Sequence, residues 1–143
     1  MEYLTSDSLS GSLFLDNSAF TKKAFFLQKV PNFSVHNVYE PDVLYLTPDT
    51  VCRLEEKRIV GAPDLVVEVL SPSTAKYDRQ EKYEAYQQYG VNEYWIVDPV
   101  HEVVEVWQLE IKRFKRMGAF ANNDVFESRP LAVIVNVKDI FTA

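Results

Sequence analysis

Short apolar stretches separated by turn residues run through most of this sequence, and one long segment breaks the pattern with a helical period. "SLFLDNSAF" and "KKAFFLQKV" read as strands joined by a short turn, and "VYEPDVLYL" reads as a further strand with Pro41 near its start. "TPDTVCRLEEK" carries the marks of a short helix, with Thr47 as N-cap and Pro48 at the first helical position. "DLVVEVL" is short and apolar at nearly every position, as strands covered on both faces are. The period then changes in "SPSTAKYDRQEKYEAYQQYG". Ser71, Ser73 and Thr74 offer caps and Gly90 a stop, which predicts a helix over about 75–89. "VNEYWIVDP" returns to strand, so a parallel strand–helix–strand crossover is expected. Asp98–Pro99 turns the chain, "EVVEVWQLE" and "KRFKRM" form a hairpin or meander, and "LAVIVNVKDIF" closes as a strand with a short apolar tail. The expected fold class is mixed α/β (α+β): many strands and one principal helix.

Composition narrows the chemistry. The chain has 143 residues, the size of one domain able to bury its own core. A net charge of −6 gives no general attraction to nucleic acid, so any such binding needs a local basic patch or bridging cations. Cys52 is the single cysteine, which leaves no disulfide within the chain. His36 and His101 are far apart and no Cys/His cluster suits zinc. A bound metal would take oxygen ligands, which points to Mg²⁺ or Mn²⁺. No apolar run is long enough to span a bilayer and no signal pattern opens the chain, so the expected location is the cytoplasm.

One residue sits against the grain of its segment. Glu68 stands between Val67 and Val69 in the most apolar strand, where an ionised carboxylate costs several kcal/mol unless paired. Strand alternation puts Asp64, Val66, Glu68 and Leu70 on one face and Leu65, Val67 and Val69 on the other. Asp64 and Glu68 then lie about 13 Å apart, too far to share an ion. Asp42, in "YEPDVLYL", is the alternative partner if its strand lies beside that of Glu68. Two such carboxylates repel and favour a divalent cation between them. Asp78, Lys82 and Tyr86 recur every four residues on the following helix, and a lysine on its inner face can reach the pair.

Each reading has a structural counterpart. Glu68 can be an ion-paired core carboxylate, Asp42 a strand-end residue, and Asp78–Lys82 a surface helix pair. Tyr83, Tyr86 and Tyr89 suit a packing stripe better than a base-stacking platform. "KRFKR", Lys112 to Arg116, is either a phosphate-contacting patch or a solvated edge strand protected by charge. Trp95 and Trp107 read as core or interface anchors.

Taken in order, "EPDVLYL", "GAPDLVVEVLSPST", the four-residue spacing of Asp78, Lys82 and Tyr86, "YGVNEYWIVDP" and "VEVW" resemble the Uma-type putative restriction endonuclease family of the PD-(D/E)XK nuclease superfamily. The resemblance covers about Tyr39 to Trp107, and the closing "IF" is similar to the family's usual ending. It implies a restriction-endonuclease-like fold, a mixed central sheet with a divalent-metal site at one end. Asp42 matches the superfamily's aspartate and Glu68 its second acidic position. The superfamily's lysine would fall where this chain has Leu70, and Lys82, from the helix, matches it instead. The implied activity is Mg²⁺- or Mn²⁺-dependent hydrolysis of phosphodiester bonds, in DNA rather than RNA, by a homodimer. Metal ligands would be Asp42 and Glu68, with Lys82 as the third catalytic group. Family members also carry a longer N-terminal section whose helix supplies a further acidic group. Here "MEYLTSDSLSG" leads almost at once into strand-like sequence, so that section is expected to be missing. The alternative function is a catalytically inactive scaffold of the same fold, acting as a dimeric interaction module.

Overall fold

A computed structural model describes residues 25–28, 41–46, 53–55, 58–60, 62–71 and 75–142, with side chains at 41–46, 62–71 and 79–142. Among the described residues, six strands form the main sheet in the order β1-β2-β5-β6-β7-β8. They are β1 (Phe25–Gln28), β2 (Val43–Leu46), β5 (Leu65–Val69), β6 (Glu93–Asp98), β7 (Val103–Glu110) and β8 (Arg113–Ala121). Two ribbons stand apart: β3 (Arg53–Glu55) with β4 (Arg58–Val60), and β9 (Val125–Ser128) with β10 (Val133–Asn136). β5 and β6 pair in parallel, joined through helix α1 (Ala75–Tyr89), while the other neighbours in the sheet pair antiparallel. This is the mixed α/β architecture expected, with one main helix after the Glu68 strand.

Alternation along the central strands sends side chains into two separate cores. Val43, Tyr45, Leu65, Val67, Trp95 and Val97 face one way and pack with Phe126, Leu131 and Val135 of the β9–β10 ribbon. Helix α2 (Val137–Phe141) adds Val137 and Ile140 to that side. Leu44, Val66, Tyr94 and Ile96 face the other way, under Tyr86 of α1 and beside Phe114 of β8. Burial on both faces is why β5 is apolar at consecutive positions. Trp95 is a core residue, and Trp107 packs at the margin of the α1 side.

α1 ends where Gly90 adopts φ +84, a conformation glycine takes without steric cost. The Val91 amide donates to the Tyr86 carbonyl (3.0 Å) and the Gly90 amide to the Gln87 carbonyl (3.2 Å), a Schellman closure. It delivers the fully buried Val91 under the helix and starts β6 two residues later. After β6, the Asp98 carboxylate accepts from the amides of Val100 (3.0 Å) and His101 (3.1 Å), making the turn expected at Asp98–Pro99.

Three local expectations need correction. The helix expected over "TPDTVCRLEEK" gives way at Arg53–Glu55 to strand, because Arg58–Val60 supplies a cross-strand partner. Local cap signals carry no information about that partner; Thr47 and Pro48 lie outside the described residues. β9 was not expected, and the apolar tail after β10 is helix α2, started by Asn136, whose side chain accepts from the Lys138 amide. "SLFLDNSAF" and the N-terminal section lie outside the described residues. Among the described residues β8 is an edge strand, which matches the edge-strand reading of "KRFKR". No helix among the described residues is long and apolar enough to cross a membrane.

The ribbon is fastened to the sheet through a second buried carboxyl group. Glu93 is fully buried. It accepts from Trp95 Nε1 (2.7 Å), Gln108 Nε2 (2.9 Å), Ser128 Oγ (2.7 Å) and the Arg129 amide (3.1 Å). These donors come from β6, β7, β9 and the residue after β9. Glu93→Ala strands several buried donors and is expected to destabilise by about 3 kcal/mol. Glu127→Ala, on the exposed side of β9, should stay within about 0.5 kcal/mol. Urea unfolding of the two variants checks the difference.

Candidate active site

β2 and β5 run antiparallel with Val43 opposite Val67. Extending that register by one step sets Asp42 opposite Glu68, on the face of Leu44 and Val66, beneath α1. The Asp42 carboxylate closes over the end of β5, where its Oδ2 accepts from the Val69 amide at 2.8 Å. Asp64 lies at the opposite end of β5 and bonds Asn92 Nδ2 (3.1 Å) at the start of β6, away from Glu68.

Glu68 is 5% exposed, and α1 supplies its partners. Lys82 Nζ lies 3.1 Å from Oε2, and the Tyr86 hydroxyl donates to Oε1. Lys82 and Tyr86 are one helical turn apart, so a helix packed over the strand aims both at one carboxylate. Lys82 retains 23% of its side-chain exposure, so the cluster opens to solvent on the lysine side. The Asp78 side chain lies outside the described residues.

Burial pushes the Glu68 carboxyl from its ordinary 4.5 up to about 7. The Tyr86 hydrogen bond and the Lys82 charge pull the other way, and the negative charge of Asp42 adds a further push upward. The Tyr86 hydroxyl is itself raised far above its usual range, first by burial and then by Glu68, so it keeps its proton and donates it to Glu68. One oxygen of each carboxylate is therefore held by a fixed donor: Asp42 Oδ2 by the Val69 amide, Glu68 Oε1 by Tyr86.

Two opposed carboxylates with a lysine beside them suit a hard divalent cation that keeps several waters and takes remaining ligands from a phosphate. No group of three or more Asp, Glu, His or Cys residues able to hold a metal occurs among the described residues. Asp42 and Glu68 would thus be the protein's contribution from this part of the chain.

Sequence reasoning placed Tyr86 in a packing stripe; the structure adds a hydrogen bond to Glu68. Its position four residues after Lys82 was the available signal. It also missed a second cluster on the same face. Glu105, on β7, takes the guanidinium groups of Arg79 from α1 and Arg116 from β8, while Trp107 Nε1 donates to it at 2.8 Å.

Residues 11–136 match the family described as putative restriction endonuclease (Uma2). The chain belongs to that family. Among solved structures, it is similar to a putative nuclease belonging to DUF820 from Anabaena variabilis ATCC 29413, at 20% identity and a TM-score of 0.68. That likeness covers 88% of this chain and 73% of the other. None of the curated proteins matches. The fold is the nuclease-like fold that the ordered motifs implied.

Because the folded state holds a proton on Glu68 more tightly than the unfolded chain does, this group's contribution favours folding below about pH 4.5 and is lost as pH rises through about 7. Glu68→Gln abolishes that dependence. Relative to wild type, the variant should gain stability between pH 5 and pH 8, approaching about 3 kcal/mol. Urea denaturation of both proteins at several pH values checks this; a difference independent of pH would contradict it.

Proposed function

We propose that this chain is a divalent-metal-dependent endonuclease that hydrolyses phosphodiester bonds in DNA. The observation that carries the reading is the meeting of Asp42, Glu68 and Lys82 at the end of β5, beneath α1. Membership of a restriction endonuclease family supports it.

Asp42 and Glu68 would hold Mg²⁺ or Mn²⁺, which when bound supplies charge stabilisation at a phosphoryl oxygen and a more acidic water. Lys82 hydrogen-bonds the attacking water and offsets negative charge that grows on the phosphoryl group. Tyr86 holds Oε1 of Glu68 and so fixes the direction in which Oε2 points. The Val69 amide does the same for Asp42. Water attacks phosphorus and gives up a proton to solvent, a P–O bond forms, the bond to the leaving sugar oxygen breaks, and that oxygen takes up a proton from solvent. The cation also relieves repulsion between an acidic chain and its polyanionic substrate. A cytoplasmic homodimer, the assembly that the resemblance implies, belongs to this reading; light scattering at micromolar concentration tests it.

The second reading, an inactive interaction module, is favoured by one feature: each Glu68 oxygen accepts from a protein donor. Titration with Mn²⁺ by calorimetry separates the two, since a module gives neither heat nor cleavage.

Plasmid nicking in Mg²⁺ or Mn²⁺ is the direct assay. Lys82→Ala should lower the rate by about 100-fold or more, and Glu68→Ala should abolish it. Nicking that persists unchanged in Glu68→Ala removes the site assignment. Tyr86→Phe keeps the ring and loses the donor, and Mn²⁺ affinity is expected to fall about tenfold; an unchanged affinity would make Tyr86 a packing residue alone.

A further inference from the structure

The row of the sheet that contains Glu68 continues across it. Glu68 is level with Ile96 on β6, and Ile96 with Glu105 on β7. Two inter-strand steps place Glu105 about 10 Å from Glu68 on the same face. α1 reaches both positions: Lys82 extends to Glu68 and Arg79, three residues earlier, extends to Glu105. From the other side Arg116 Nε approaches Glu105 Oε1 at 3.5 Å. A register shift in β8 sets Arg116 opposite Trp107 and Gly118 opposite Val106, so Met117 is the extra residue. Arg116 therefore shares the face of Trp107 and Glu105.

Two guanidinium groups share a single carboxylate here, so the trio carries one net positive charge in a chain whose total is −6. The arginine side chains remain 44% and 50% exposed, whereas the Glu105 side chain is 14% exposed. The carboxylate is the shielded member and the cations are presented outward. Glu105 sets where the two guanidinium groups sit, and its negative charge cancels one of theirs and so weakens their pull on a further anion. Arginine's fork of donors matches phosphate oxygens.

We propose that Arg79 and Arg116, steadied by Glu105, form a phosphate-binding subsite for the nucleic-acid strand, about three nucleotide rises from the cleavage position. This deepens the nuclease reading and rests on it. A strand entering at Glu68 passes the N-terminal half of α1 to reach the arginines, which hold its backbone in register while carrying no sequence information. The subsite supplies the local positive charge that an acidic chain needs to hold a polyanion.

The test is binding of a fluorescein-labelled DNA duplex by anisotropy, in EDTA so that no cleavage occurs, over a series of salt concentrations. The double variant Arg79→Gln/Arg116→Gln should bind about tenfold or more weakly, and the slope of log affinity against log salt should shrink by about 0.9 for each lost phosphate contact. Glu105→Gln keeps an acceptor for Trp107 and releases both arginines, so it should bind several-fold more tightly than wild type. A merely structural ion-pair network predicts no gain from Glu105→Gln and no change in slope. If the double variant fails to fold, the sign of the Glu105→Gln effect decides. Wild type that binds while both variants match it overturns the subsite and leaves the nuclease reading intact. Wild type that binds no duplex at any salt concentration overturns the subsite, and plasmid nicking in Mn²⁺ then decides the nuclease reading separately.

Discussion

A carboxylate confined between apolar strands has to be met by donors, and Glu68 is met only because α1 lies where it does. The side chain is 5% exposed, and leaving it ionised there without partners would cost several kcal/mol. Lys82 and Tyr86 answer that cost from one helix face. The parallel pairing of β5 with β6, the crossover through α1 and the Schellman closure at Gly90 all serve to bring that face over the end of β5. The same burial raises the proton affinity of Glu68 and makes the site sensitive to charge. Stability and chemistry at this point of the fold thus have one origin.

Glu93 shows what the alternative looks like. It is more deeply buried than Glu68 and lies on the opposite face of the sheet, where the β9–β10 ribbon closes over it. Among the described residues its partners are an indole, an amide side chain, a hydroxyl and a backbone amide, with no cation among them. Glu68, by contrast, has a lysine that keeps part of its exposure and an aspartate across the strand pair. The sealed carboxyl group fastens one layer to another. The one at the strand end keeps a second acid across the strand pair and a lysine that reaches solvent.

Much of this was legible in order along the chain. Strand alternation assigned Glu68 and Asp64 to one face, and the distance between them pointed to Asp42 as the nearer partner, which is where the β2–β5 register sets it. The span of α1 could be read from its period and from Gly90. These inferences succeed because helix and strand periods and glycine's conformational freedom are properties of short segments. The helix expected at "TPDTVCRLEEK" failed for the complementary reason: the strand Arg53–Glu55 exists through its pairing with Arg58–Val60, and capping signals are blind to pairing.

Tyr86, Glu93 and the Arg79–Glu105–Arg116 cluster needed the folded chain. Each depends on residues distant in sequence: 18 positions separate Tyr86 from Glu68, 35 separate Ser128 from Glu93, and 26 separate Arg79 from Glu105. Residue type and local period say that a tyrosine packs and an arginine is solvated. Which carboxylate each one meets is a matter of strand order and register, and those are chosen by the mutual burial of the whole sheet between α1 on one face and the β9–β10 ribbon with α2 on the other.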